Sequence, residues 1–152
     1  MGDFTLRPAT PDDYDFLYDL NRLALGEYVA QISGWDEEWE QQNFRERFDP
    51  DRRQIIRIDD EDVGAFGFYA DGDHVLLDYL AILPEYQRRG IGSKLISSVV
   101  EEARKLGKPV RVQVLKTNPA TELYKRLGFV ITGETERHFV MKWSPSQSGE
   151  RN

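Results

Sequence analysis

Apolar and polar residues along this chain recur with two periods, and the switches between them mark its elements. A short alternation over residues 4–7 reads as a strand, after which Pro8, Thr10 and Pro11 supply a turn, a helix N-cap and a proline near the first helical position. Tyr14, Leu17, Tyr18, Asn21 and Leu25 then recur at spacings of three and four, one face of a helix that Gly26 is placed to stop. Asp36 is positioned to cap a second helix reaching to about Phe48, which Asp49-Pro50 ends. Residues 54–59, 63–70 and 74–83 read as three strands, joined by the turns Asp60-Glu61-Asp62 and Asp71-Gly72-Asp73 into an antiparallel meander. The helical period returns in Ile91, Leu95, Ile96, Val99, Val100, Ala103 and Leu106, and Gly107 closes it. Val110, Val112 and Val114 alternate with Arg111 and Gln113. Reached through a helical crossover, this strand is expected to lie parallel to the one over 74–83. A short helix over 120–127 follows, with Ala120, Leu123, Tyr124 and Leu127 on one side and Gly128 at its end, and residues 129–133 and 139–143 read as a closing hairpin.

At 152 residues the chain fits one domain with a core that needs no disulfide or structural metal. Residues 1–144 carry all the patterned segments, while 145–152 are polar and read as a flexible C-terminal tail. No repeat and no linker divides the rest. The absence of cysteine removes thiolate catalysis and an acyl-cysteine intermediate, and two distant histidines, His74 and His138, make a protein-built metal site a poor expectation. A formal net charge of −7 argues against a nucleic-acid partner, which requires a basic face. The first ten residues lack the apolar core of a signal peptide and no run approaches the length of a membrane span, so the expected protein is soluble, cytoplasmic and without a membrane partner.

One stretch concentrates the chemistry. Residues 80–95 read LAILPEYQRRGIGSKL: an apolar run, then a loop with Arg88, Arg89, Gly90 and Gly92, then the helical stripe. Such a strand-loop-helix unit leaves the first N–H groups of the helix free at the positive end of its dipole, a site for a pyrophosphate. Gly90 tolerates a positive φ and Gly92 admits close approach of phosphate oxygens. The dinucleotide fingerprint needs a third glycine where Leu95 stands, and a P-loop needs four residues between its glycines, so neither fits. Arg88, Arg89 and Lys94 form a local basic cluster suited to a few phosphates.

The segment Gln87-Arg88-Arg89-Gly90-Ile91-Gly92 resembles the acetyl-CoA-binding motif Q/R-x-x-G-x-G/A of the GNAT (Gcn5-related N-acetyltransferase) superfamily. A second segment, Asn118-Pro119-Ala120-Thr121-Glu122-Leu123-Tyr124-Lys125-Arg126-Leu127-Gly128-Phe129, resembles that family's N-x-x-A-x-x-L-Y-x-x-L-G-F signature, one residue short between the asparagine and the tyrosine. The order of elements resembles the family over nearly the whole chain. It implies an α+β fold: a mixed, mostly antiparallel sheet with a central parallel strand pair and helices on both faces. It implies acetyl-CoA as cofactor, lying where the strand of Leu80, Ala81 and Ile82 splays from that of Val110 to Val114, with N–H groups near Ile82 polarising the thioester carbonyl. The pyrophosphate would be held by Gln87, Arg88, Arg89, Gly90, Ile91, Gly92, Ser93 and Lys94. Asn118 and Tyr124 complete the expected cofactor contacts.

Tyr124 carries the catalytic expectation. An amine attacking the thioester expels a thiolate, and a phenol with a reference pKa of ~10 can protonate a sulfur whose thiol pKa is roughly 8 to 9. The same side chain would serve equally as a core tyrosine on an apolar helix face. No residue stands out as general base. Where some family members that act on protein N-termini carry a glutamate, Gln113 stands here and takes no proton, leaving Asp78, Glu27, Asp36, Glu37, His138 or a chain of waters. The family places the acceptor by the segment holding Glu27, Trp35, Asp36, Glu37 and Trp39 and by the hairpin around His138, and acids beside aromatics suit a cationic amine. The expected activity is acetyl transfer to a primary amine, with a small molecule favoured over a protein N-terminus or lysine. A non-catalytic acyl-CoA-binding regulatory module and a homodimer are both compatible with the same residues.

Overall fold

A computed structural model describes residues 3–145; most of the tail expected at 145–152 lies outside them. Among the described residues there are four α-helices, seven strands and three short 3-10 turns. The strands are β1 (Thr5–Pro8), β2 (Gln54–Ile58), β3 (Glu61–Asp71), β4 (His74–Ile82), β5 (Val110–Leu115), β6 (Val130–Glu134) and β7 (His138–Trp143). They hydrogen-bond in the order β1-β2-β3-β4-β5-β7-β6. The helices are α1 (Tyr14–Ser33), α2 (Glu37–Arg47), α3 (Ile91–Leu106) and α4 (Ala120–Arg126). The described residues fall into two compact units: one up to Gly67 together with Tyr79–Ile91, the other Phe68–Asp78 together with the chain from Gly92 onward.

In the first unit β1 and β3 flank β2 in antiparallel pairs. The core joins Ala9, Leu17, Leu20, Ala24, Ile55, Ala65 and Ala81, with Phe16, Leu25, Phe44, Phe48, Tyr79 and Leu83 packed against it. Thr10 caps as expected, in reciprocal form: its hydroxyl accepts from the Asp12 N–H at 3.2 Å while Asp13 Oδ2 accepts from the Thr10 N–H at 2.8 Å. Asp36 accepts from the Trp39 N–H at 3.1 Å and starts α2 where the sequence places it. The first helix departs from its expected end. It runs through Gly26 to Ser33, and Gly26 faces the Trp35 ring, which a Cβ there would meet in ordinary contact at 3.6 Å; the helix ends instead at Gly34, whose φ is 78°. The β2–β3 turn also moves. Asp59 and Asp60 take φ of 51° and 67°, the left-handed pair of a two-residue hairpin turn, so Glu61 and Asp62 join β3.

That shift gives Asp62 a structural partner set. Arg7 forks onto Asp13 at 2.9 and 3.0 Å and reaches Asp62 at 3.1 Å, while Arg57 binds the other Asp62 oxygen at 2.8 Å. Hydrogen bonding to Arg7 holds the buried Asp13 carboxyl below its ordinary value against the opposing effect of burial. Asp13→Asn is expected to cost about 2–3 kcal/mol, the range for a charge-assisted bond whose partner is left unmet. Because the folded pKa is the lower one, this stabilisation is present above the unfolded value near 4 and is lost as pH falls through the folded value. Denaturant melts of parent and variant at pH 7 and pH 3 check both statements. A gap between the two that does not shrink at the lower pH would contradict the second.

In the second unit β4 and β5 run parallel, Val75 opposite Val110 and Leu77 opposite Val112. On its other side β5 pairs antiparallel with β7, which pairs antiparallel with β6. The α3 stripe is buried at Ile91, Leu95, Ile96, Val99, Val100 and Ala103; Leu106, in the last turn, is 52% exposed because the buried stripe ends one turn earlier. Among the described residues no helix is long and apolar enough to cross a membrane.

Candidate active site

Each unit carries part of the expected machinery. In the first, β4 ends at Ile82, with Ala81 and Ile82 buried and Leu80 half-buried. A turn over Pro84–Tyr86 leads into the glycine loop. The loop is fastened to the strand: Gln87 Nε2 donates to the Ile82 carbonyl at 2.8 Å, and the Leu83 N–H donates to the Val63 carbonyl at 2.8 Å. Arg89 folds back on its own turn, donating to the Glu85 carbonyl at 3.1 Å and lying 4.9 Å over the Tyr86 ring, whose hydroxyl reaches Glu61 at 3.3 Å. Gln87 and Arg89 are thus engaged in shaping the loop.

Arg88 and Gly90 both take left-handed backbone, at φ 65° and 84°, the kind of conformation from which anion-binding concavities of N–H groups are made. A Cβ at Gly90 would meet nothing within 4 Å. Arg88, Gly90 and Lys94 are exposed, Gly92 and Ser93 half-buried and Ile91 buried. No acid stands in the first turn of α3. Three cations of this stretch, Arg88, Arg89 and Lys94, are exposed.

The expected acceptor residues of the first unit separate into distinct roles. Glu37 accepts three hydrogen bonds, from Trp35 Nε1 at 2.8 Å, the Tyr18 hydroxyl at 2.9 Å and Gln41 Nε2 at 2.7 Å. These bonds, led by that from Trp35, hold its carboxyl below the ordinary range. Trp35 is half-buried beside Gly26, whereas Trp39 is 51% exposed. Asp36 is occupied as the α2 cap, and Glu27 is exposed on α1. The Tyr79 hydroxyl donates to Asn21 Oδ1 at 3.0 Å, and Arg53 lies 4.6 Å over the Tyr79 ring. This trio carries no local sequence signal, because its members come from α1, the edge of β2 and β4.

In the second unit Tyr124 is 5% exposed on α4, its ring edge-on to Phe129 at a centroid distance of 5.2 Å. Burial raises its pKa well above that of a free phenol. Among the described residues its hydroxyl has no hydrogen-bond partner. Asn118 Oδ1 accepts from the Ala120 N–H at 2.9 Å, an Asx turn that leads into α4. Gln113 is exposed on β5 and Asp78 half-buried on β4.

His138 opens β7 opposite Leu115, with its N–H on Thr135 Oγ1 at 2.9 Å. Burial, then the charge of Arg137, lowers its pKa, so the ring is neutral at pH 7. Arg137 itself was not singled out by the sequence. Its half-buried guanidinium has an Nε with no hydrogen-bond partner among the described residues. Its place as the one basic residue in the turn between the last two strands was the available signal.

Comparison with known proteins agrees with this organisation. A family model described as the acetyltransferase (GNAT) family matches residues 14–129. An L-amino acid N-acyltransferase of Escherichia coli is 30% identical over 89 residues, covering 52% of this chain and 52% of that protein. An L-methionine sulfoximine/L-methionine sulfone acetyltransferase of Salmonella typhimurium is 38% identical over 53 residues, covering 34% of this chain and 31% of that protein. The matched segment thus spans about half the length of the first relative and less of the second. The fold superposes on an N-acetyltransferase of Thermoplasma acidophilum solved with coenzyme A, at a TM-score of 0.76 and 19% identity, over 93% of this chain and 99% of that one.

Proposed function

This chain belongs to the GNAT acetyltransferase family, and on that premise we propose that it moves the acetyl group of acetyl-CoA directly to a primary amine of a small molecule. The observation that carries the reading is Tyr124, a buried phenol with an unspent hydroxyl in the segment that resembles the family signature. When bound, acetyl-CoA supplies a thioester already activated for attack. The amine nitrogen forms a bond to the acetyl carbon, the carbon–sulfur bond breaks, the amine's surplus proton passes to a base or water, and the thiolate takes a proton from Tyr124. Desolvation keeps the phenol protonated through the working pH range, the state a hydrogen-bond donor to the sulfur needs. Of the candidate bases, His138 is held neutral and able to accept a proton, whereas Glu37 is pushed toward weaker basicity by its three donors.

Arg88, Gly90, Gly92, Ser93 and Lys94 receive the phosphates, and Gln87 and Arg89 keep the loop in shape for them. Residues 1–144 act as one acetyltransferase domain, a reading supported by a family match that runs across both compact units. A small acceptor is favoured because two of the four curated relatives that match bear names of enzymes that act on amino acids or their analogues.

Release of the coenzyme A thiol is measured against a panel of L-amino acids, their amides, polyamines and short peptides. Turnover with amino acids or other small amines is the expected result. Tight binding of acetyl-CoA without thiol release across the whole panel would replace this reading with a non-catalytic acyl-CoA-binding module, and turnover confined to peptides would move the acceptor to a protein N-terminus.

A further inference from the structure

We propose that Arg137 is the receptor for an anionic group on the acceptor, so that the amine acetylated belongs to a molecule that also carries a carboxylate. The inference rests on the acetyl-transfer reading above and specifies its substrate class.

Arg137 stands in the turn between β6 and β7, and its main chain is fixed from both sides. Its N–H donates to Thr135 Oγ1 at 3.3 Å and its carbonyl accepts from the Lys116 N–H at 2.9 Å, so the turn is tied to the residue just past β5. The side chain is half-buried and Nε is shielded from solvent. Among the described residues Nε has no hydrogen-bond partner and the guanidinium no ion pair. A buried donor on a charged group is costly to leave unmet, and folded proteins seldom leave one without a reason.

The acids near it in sequence do not meet the need. Glu134 is held by Lys116 Nζ at 2.6 Å, and Glu136 is exposed. Lys116 is further occupied by the Phe139 face, 5.7 Å from Nζ to the ring centroid. Lys116 is thereby neutralised and Arg137 is not. The neighbouring imidazole registers the difference, since the Arg137 charge is one of the two causes that lower the His138 pKa. A carboxylate is the planar anion whose two oxygens a guanidinium meets in a fork. A phosphate of coenzyme A offers the same oxygen chemistry, and the two sources differ in which substrate's KM responds to Arg137.

The test compares L-methionine, L-leucine and L-glutamate, each beside its C-terminal amide, as acceptors for the parent and for Arg137→Gln and Arg137→Lys. The parent is expected to prefer acid over amide by at least about tenfold in kcat/KM. Arg137→Gln should raise KM for the acids by about 10²-fold, near the middle of the range for an unmet buried charge pair. KM for the amides and for acetyl-CoA should stay within about twofold, and Arg137→Lys, which keeps charge without the fork, should fall between. A parent indifferent to the carboxylate, a preference that survives Arg137→Gln, or a change that falls on acetyl-CoA instead would each overturn the proposal. If Arg137→Gln lowers the melting temperature sharply, Arg137→Lys alone decides by the same readings. If no amine in the panel is acetylated, the acetyl-transfer reading fails separately, and the carboxylate site is judged by the His138 ring resonances. They should move on adding L-methionine to the parent and stay still with the amide; resonances that respond to neither, or to both alike, sink it.

Discussion

Tyr124→Phe should lower kcat about 10²-fold, the lower range for acid catalysis, while fold stability and acetyl-CoA affinity stay near those of the parent. The substitution is clean for a structural reason. The ring makes the buried edge-on contact with Phe129, and phenylalanine keeps that ring. The hydroxyl makes no hydrogen bond among the described residues, so its removal strands no partner and opens only a small void. Tyr79 offers the contrast within the same protein. Its hydroxyl is engaged with Asn21, so Tyr79→Phe should lose about 1 kcal/mol of stability, the typical net worth of one such bond. Steady-state and single-turnover rates, read beside melting temperatures of both variants, separate the two tyrosines. An unchanged kcat with chemistry shown to limit turnover would return Tyr124 to the role of a core residue. A loss of stability matching the loss of activity would mean that packing alone had been tested.

Gly90→Glu is expected to weaken coenzyme A binding by at least about 10²-fold, since a like charge placed against a phosphate costs several kcal/mol. Two effects act together there. At φ 84° any side chain is strained by roughly 1–2 kcal/mol, and the added carboxylate stands between Arg88 and Lys94 in sequence and competes with the phosphates for them. Space is not the issue, because a Cβ at this position meets nothing within 4 Å. Gly90→Ala isolates the strain and should cost only a few-fold in affinity. Gly72, at φ 69° and equally open in the β3–β4 turn, provides a control: Gly72→Glu bears a similar strain and should bind coenzyme A as the parent does. Calorimetry on the three variants decides. Parent-like binding by Gly90→Glu would remove the phosphates from this loop.

The order and kind of the elements were legible along the chain, because that information is local. Periods of two and 3.6 are written in consecutive residues, and the parallel run of β5 beside β4 follows from the helix interposed between them. The Thr10 and Asp36 caps were legible for the same reason, since a cap and its N–H lie within three residues. The two family-like segments were legible too, as each is a contiguous run bearing a loop or a helix with one chemical task.

What the sequence did not determine depends on which distant groups meet. Gly26 reads as a helix stop until Trp35, nine positions on, is found lying over it. Asp62 reads as a turn residue until Arg7 and Arg57 claim it. Glu37 reads as an acid free for an amine until Trp35, Tyr18 and Gln41 are seen to fill its oxygens. Arg137 is marked in sequence only as the basic residue of the turn between the last two strands; that its Nε is shielded and without a partner among the described residues shows only in the folded chain. Hydrogen bonds act over about 3 Å, whatever the number of residues between donor and acceptor. Local pattern therefore fixes where helices and strands begin, while the tertiary structure alone decides which polar groups are already satisfied and which remain to meet a substrate.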